Sequence, residues 1–162
     1  MKDLDLPDRR HLEAAQGWLE LGNCQEANAE LENITPELRA HPGVLRVRWE
    51  VYANAGKWEG AVEIGRALSK SAPKFPFGWI KAAQALHELK RTAEAREVLL
   101  RAADKFKDWN VFYDLACYAC QLGNLIEAYG WLEKTFDLNP EARLMALKDA
   151  DLEPLWADIG EV

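Results

Sequence analysis

The sequence predicts an all-α protein: about four antiparallel helix hairpins in a row, closed by a short helical cap. Three observations carry that prediction. The first is a beat of 34 residues. Alanine recurs at Ala27, Ala61, Ala95 and Ala128, and glycine at Gly22, Gly56 and Gly123 with Lys90 holding the place between, so both series step by 34, 34 and 33. The second is punctuation, with a glycine stop followed at once by an N-cap residue, the pattern that ends one helix and starts the next. The third is the apolar spacing of three and four, with no stretch alternating by two long enough to make a strand.

Taken in order, the first hairpin opens with an acidic helix from about Asp8 to Leu21, with Pro7 near its start, and carries Ala14, Ala15 and Trp18. Gly22 stops it, Asn23 and Glu26 have capping-box spacing, and Ala27 and Leu31 lie on the return helix. Pro42 opens the second unit, where proline in a first helical turn loses no hydrogen bond. Leu45, Tyr52, Gly56, Trp58 and Ala61 follow, and Pro73 closes it. The third runs from Pro76 through Trp79, Ala82, Ala83, Leu86, Ala95, Leu99 and Ala102, with Lys107 where a closing proline is expected. The fourth carries Phe112, Leu115, Ala116 and Ala119, then Gly123, the box Asn124–Glu127, Ala128, Leu132 and a closing Pro140. An end repeat exposes an apolar face that needs covering. Residues 141–148 form an amphipathic segment for that purpose. A further turn is expected with Asp151 as N-cap and Pro154 in its first turn, so that Leu152, Leu155 and Trp156 seal the end. Both ends read as finished, and the chain is expected to be complete.

These residues resemble the tetratricopeptide repeat (TPR) family, whose pattern runs Trp, Leu-Gly and Tyr along a first helix, then Ala, an aromatic and Pro. The resemblance covers about residues 8–140 and implies a single domain over residues 1–162. Its repeats would span about 8–41, 42–75, 76–108 and 109–141, with a cap over 142–162. It implies a right-handed superhelix, or α-solenoid, whose concave face is lined by the first helices. One unit departs from the pattern: Trp49 stands where the family has a small residue, and Gly65 where it has a large one. A compensated swap is expected, with the indole of Trp49 packed over Gly65.

The resemblance also implies function: a non-catalytic adaptor or scaffold that holds a peptide segment of another protein on the concave face. Projecting the period places Leu12, Gln16, Arg46, Glu50, Phe77, Lys81, Gln84, His87, Tyr113, Asp114 and Cys117 there. Arg46 and Lys81 are the cations of that face, and they fit an acidic peptide. Phe77 and Tyr113 are candidate exposed anchors. A subgroup of the family clamps C-terminal carboxylates of chaperones through Lys, Asn and Arg. The matching places here hold Leu12, Gln16, Val47, Phe77 and Lys81, of which only Lys81 fits, so the subgroup is disfavoured.

Composition excludes other classes. Hydrophobic residues make up 49% and charged residues 29%, enough to build a core. A net charge of −7 argues against nucleic acid as the main ligand. The charge is uneven: 6 basic and 3 acidic residues over 42–75 give +3, while 3 basic and 10 acidic over 109–162 give −7. The basic stretch fits either an ordinary solvated surface or a patch that steers an acidic peptide. No apolar run approaches the roughly 18 residues a membrane helix needs, and residues 1–5 do not read as a signal peptide. Three cysteines do not make a disulfide framework, and a cytoplasmic location is expected.

Of the three histidines, His41 precedes Pro42 and reads as a turn residue, His11 lies on the first helix, and none belongs to a catalytic or phosphate-binding motif. The chain is read as no enzyme, with no catalytic, cofactor or metal residues. Cys117 and Cys120 share a helix face at a spacing used in thiol and zinc sites, with His87 projecting alongside; as an alternative they are small apolar residues in tight packing. Another alternative is a self-associating structural protein, a monomer or weak homodimer that pairs through Trp109, Trp131 or the cap.

Overall fold

A computed structural model describes residues 4–160, and all regular structure among them is helical. The elements are α1 (Leu6–Glu20), α2 (Cys24–Asn33), a 3-10 turn (Pro36–Leu38), α3 (Pro42–Asn54) and α4 (Trp58–Ser71). Then follow α5 (Phe77–Glu88), α6 (Thr92–Ala103), α7 (Trp109–Gln121), α8 (Leu125–Leu138), α9 (Ala142–Ala146), a second 3-10 turn (Ala150–Leu155) and α10 (Trp156–Gly160). The chain divides into two compact units, the first ending at Ala85 and the second starting at Leu86, with the boundary inside α5.

The 34-residue beat is a beat of helix stops. After each first helix one residue takes the left-handed backbone: Gly22 (φ 74°), Gly56 (φ 67°), Lys90 (φ 62°) and Gly123 (φ 81°). The N–H of the next residue then donates back five positions, Asn23 to Trp18 at 2.8 Å and Lys57 to Tyr52, Arg91 to Leu86 and Asn124 to Ala119 at 2.9 Å. This is the Schellman arrangement, which satisfies carbonyls a helix end would otherwise strand. Each stop leads straight into the return helix. Asn23 and Asn124 cap α2 and α8 by accepting from the N–H groups of Glu26 (3.1 Å) and Glu127 (3.3 Å). The four in-phase alanines, Ala27, Ala61, Ala95 and Ala128, are all 0% exposed.

In the first unit Leu31, Ile34, Val44, Val47 and Val51 gather with Ala15 and Ala27 into one core, flanked by Trp18 and Tyr52. The buried carboxylate of Asp8 accepts from the N–H (2.7 Å) and hydroxyl (3.1 Å) of Thr35, tying α1 to the first 3-10 turn. Burial of a polar group is tolerable on such terms. Arg48 bridges α3 to α2 by donating to Glu32 at 2.6 Å, and that hydrogen bond is the main reason Glu32 titrates below the usual carboxylate range.

Three sequence expectations need correction here. Trp49 is buried, but its ring does not fill the space over Gly65. A Cβ at Gly65 would lie 2.6 Å from the backbone nitrogen of Ala82 and 2.8 Å from its Cα, so glycine is required there by the approach of α5 to α4. Gly78 makes a second such contact, 2.3 Å from the nitrogen of Ser69 by the same measure. Pro76 lies just before α5, where its carbonyl accepts from Trp79 (2.9 Å) and Ile80 (3.0 Å), rather than in the first turn. His41 is more than a turn residue: its Nδ1 accepts from Gly43 N–H at 3.1 Å and so caps α3.

In the second unit α7 is buried on nearly every side. Of residues 111–120 only Asp114 is not buried, which marks a helix surrounded by other elements. Arg96 of α6 donates to Glu127 of α8 at 2.7 and 3.1 Å, and Trp131 Nε1 donates to the same oxygen at 3.1 Å. Burial alone would raise the pKa of Glu127, but these partners bring it below the usual value. The capping turn begins two residues earlier than expected. Asp149, not Asp151, is the N-cap, accepting from Asp151 N–H at 3.0 Å, and Pro154 sits within the 3-10 turn. Leu152 (0% exposed) and Leu155 (3%) are sealed inward as anticipated, and Trp156 Nε1 donates to the Ala146 carbonyl at 3.0 Å.

Candidate functional site

The first helices present the residues singled out by sequence, and these fall into one group in each unit. In the first unit, α3 supplies Arg46 and Glu50, both exposed, and α5 supplies Phe77, Lys81 and Gln84, all half-buried. The cations lie over aromatic faces. The Arg46 guanidinium is 4.8 Å from the centre of the Phe77 ring, and Lys81 Nζ is 4.1 Å from the Trp49 ring and 5.3 Å from that of Phe77. Lys81 also donates to Gln84 Oε1 at 3.1 Å. A ring face attracts a cation, so such stacking pre-orients both groups. Trp49 belongs to this group although the sequence reading assigned it to Gly65. Its buried Nε1 has no hydrogen-bond partner among the described residues. The unusual Trp49 was the signal, and its neighbour was misjudged.

In the second unit the inner-face residues meet the chain's own C-terminal segment. Tyr113 is 8% exposed, not an open anchor, and its hydroxyl donates to Asp149 Oδ2 at 2.8 Å. Cys117 Sγ lies 3.7 Å from the same oxygen. His87 stacks on Tyr118 with 5.0 Å between ring centres, and its Nε2 is 3.6 Å from the Asp151 carboxylate. Its Nδ1 is 3.0 Å from Thr92 Oγ1. Asp114 is half-buried beside them on α7.

Burial, followed by nearby carboxylates, raises the pKa of the thiols of Cys117 and Cys120 and of the phenols of Tyr113 and Tyr118. That is the reverse of an activated nucleophile, which needs a depressed thiol pKa. No group of three or more metal-ligating side chains is assembled among the described residues. Trp131 stacks on Phe112 at 5.5 Å and carries Lys134 Nζ 3.9 Å above its ring, so it is engaged within its own unit. No described helix is long and apolar enough to cross a membrane.

No family model matches the chain, and no curated protein matches it in sequence. Solved structures do match in fold. The Pseudomonas aeruginosa pilF structure aligns with a TM-score of 0.75 at 22% identity, over 94% of this chain and 69% of that one. MamA from Desulfovibrio magneticus RS-1 aligns with a TM-score of 0.70 at 20% identity, over 98% and 93%. TTC0263 of Thermus thermophilus, described as a thermophilic TPR protein, aligns with a TM-score of 0.70 at 18% identity, over 97% and 83%. At such identities the likeness concerns the fold, and the fold is clear. The chain has a TPR-like, all-α helical-repeat fold.

Proposed function

We propose that the protein is a non-catalytic interaction module that holds an acidic peptide segment of a partner protein against the inner face of its first helices. The reading takes residues 1–162 as one domain of four repeats and a cap, working in the cytoplasm. The contact residues proposed for it are Arg46, Glu50, Phe77, Lys81 and Gln84 in the first unit; the remaining candidates His87, Tyr113, Asp114 and Cys117 lie in the second, where the C-terminal segment covers Tyr113 and Cys117.

The observation that carries it is the stacking of Arg46 and Lys81 on Phe77 and Trp49. Two cations held over apolar rings can meet a carboxylate and an adjacent apolar side chain together, which is the pairing a peptide hot spot uses. Raised thiol and phenol pKa values favour holding over chemistry, and no catalytic step is assigned.

The test starts with peptides selected from a random display library. Those that bind are expected to be acidic with one or two large apolar residues. The Arg46→Ala/Lys81→Ala variant should bind them at least tenfold more weakly, with a shallower salt dependence. An unchanged dissociation constant would reject this face.

A second reading, homodimerisation through the cap, is favoured by the exposure of Leu144 (67%) and Met145 (50%) on α9. Light scattering that gives a monomer mass across the concentration range removes it.

A further inference from the structure

The second unit contains a peptide already docked on a first helix, and it is the chain's own. Asp149 and Asp151 reach α5 and α7 from the C-terminal segment, and the surface they reach is a row of uncharged or weakly basic donors with the Asp114 carboxylate nearby. Tyr113 O–H donates to Asp149 at 2.8 Å, the Cys117 thiol points at the same carboxylate from 3.7 Å, and Gln121 Nε2 donates to the Asp151 carbonyl at 3.2 Å. His87 Nε2 stands 3.6 Å from the Asp151 carboxylate. Below these contacts Leu152, Leu155 and Ile159 are 0%, 3% and 1% exposed, while Glu153, Pro154 and Asp158 face outward. Positions i, i+3 and i+7 on one face are how an amphipathic helix seats itself in a groove.

The segment has the marks of a ligand as well as those of a cap. Its own regular structure is a 3-10 turn and a five-residue helix, too short to be stable alone. What holds it is the burial of its apolar side chains, its carboxylate contacts, and hydrogen bonds from Gln121 and Arg143 to its Asp151 and Ile159 carbonyls. It joins α9 through Leu147, Lys148 and Asp149, outside any helix, so it can leave without unwinding its neighbours. The polar contacts sit at the rim, with Asp149 and Asp151 only half-buried, where water can compete for them.

We propose that the inner face of α7, with His87 beside it, is a docking surface for an acidic amphipathic helical segment. In this structure the chain's own residues 149–159 occupy it, and a partner segment of the same chemistry exchanges with them. The pattern on offer is Asp-x-Asp-Leu-x-x-Leu-x-x-x-Ile. This builds on the peptide-holding reading above and names its ligand for one surface. The device is a built-in competitor: a partner binds here only when its affinity exceeds that of the tethered segment, whose effective concentration is in the millimolar range for a short link.

Cys117, 5% exposed beneath Asp149, supplies the readout. In the full chain with Asp149→Ala and Leu152→Ala, alkylation of Cys117, read by mass spectrometry against Cys24, should accelerate at least tenfold. A synthetic peptide of residues 148–160 should then restore protection saturably in the micromolar range. In the unaltered protein, backbone hydrogen exchange over residues 150–159 should run at least tenfold faster than over α7. The proposal is overturned if the peptide gives no protection up to millimolar concentration, or if 150–159 and α7 exchange together. Should the variant fail to fold, the exchange measurement on the unaltered chain decides alone. Salt-sensitive binding at Arg46 and Lys81 lies in the other unit. Its survival alongside a failure here would leave the peptide-holding reading standing and remove only the docked segment.

Discussion

Lys90 has φ 62°, a left-handed backbone at a position where the other three hairpins use glycine. A side chain with Cβ resists that conformation by about 1–2 kcal/mol, and the Schellman turn around it holds regardless. Lys90→Gly is therefore expected to stabilise the protein by about 1 kcal/mol, raising the melting temperature by about 2–4 °C. A thermal scan showing no gain or a loss would mean that the lysine side chain contributes contacts that offset its strain. The turn itself was legible in the sequence because the beat skipped no step, even with the wrong residue type at that place. Gly65 was harder. Glycine at a left-handed turn and glycine at a close helix approach look the same in a sequence, and only the position of Ala82 shows which one this is.

Among the elements, α7 is the least ordinary. Its apolar character reads as one face of a hairpin, yet Tyr113, Cys117, Tyr118 and Cys120 are buried too, at 8%, 5%, 3% and 5% exposure. The period places Tyr113, Asp114 and Cys117 on α7. The cap was expected to seal the end through Leu152, Leu155 and Trp156, but that Asp149 and Asp151 would reach Tyr113, Cys117 and His87 was not foreseen, because these contacts span 30 residues or more. Burial of ionisable groups has a measurable consequence. The folded chain keeps protons on these two phenols and two thiols at pH values where the unfolded chain releases them. The stability they confer is complete below about pH 9 and is lost as the pH rises past the ordinary thiol and phenol range, by up to about 1.4 kcal/mol per pH unit for each group. Urea unfolding at pH 7, 9 and 10.5 should show this fall, together with phenolate absorbance from two tyrosines that develops only on unfolding. Flat stability across that range would mean that α7 is more open than its burial states.

At the scale of the molecule the fold was legible because the same few decisions recur: a left-handed stop and a buried alanine four times, and an asparagine N-cap at two of those stops. Repetition turns weak local signals into a strong one. Function is less legible, since a repeat scaffold carries its specificity in side chains that the period does not fix. In the proposed reading those side chains are Arg46 and Lys81 over Trp49 and Phe77 in one unit, and Tyr113, Cys117 and His87 under an acidic segment in the other. Each set would then meet carboxylates, the first by charge and the second mainly by neutral donors.

Amide and side-chain chemical-shift mapping with a selected acidic peptide tests that account most directly. The largest shifts are expected at Arg46, Trp49, Phe77, Lys81 and Gln84. Shifts confined to the return helices, around Tyr129, Glu133 and Lys134 on α8, with the first helices silent, would contradict it.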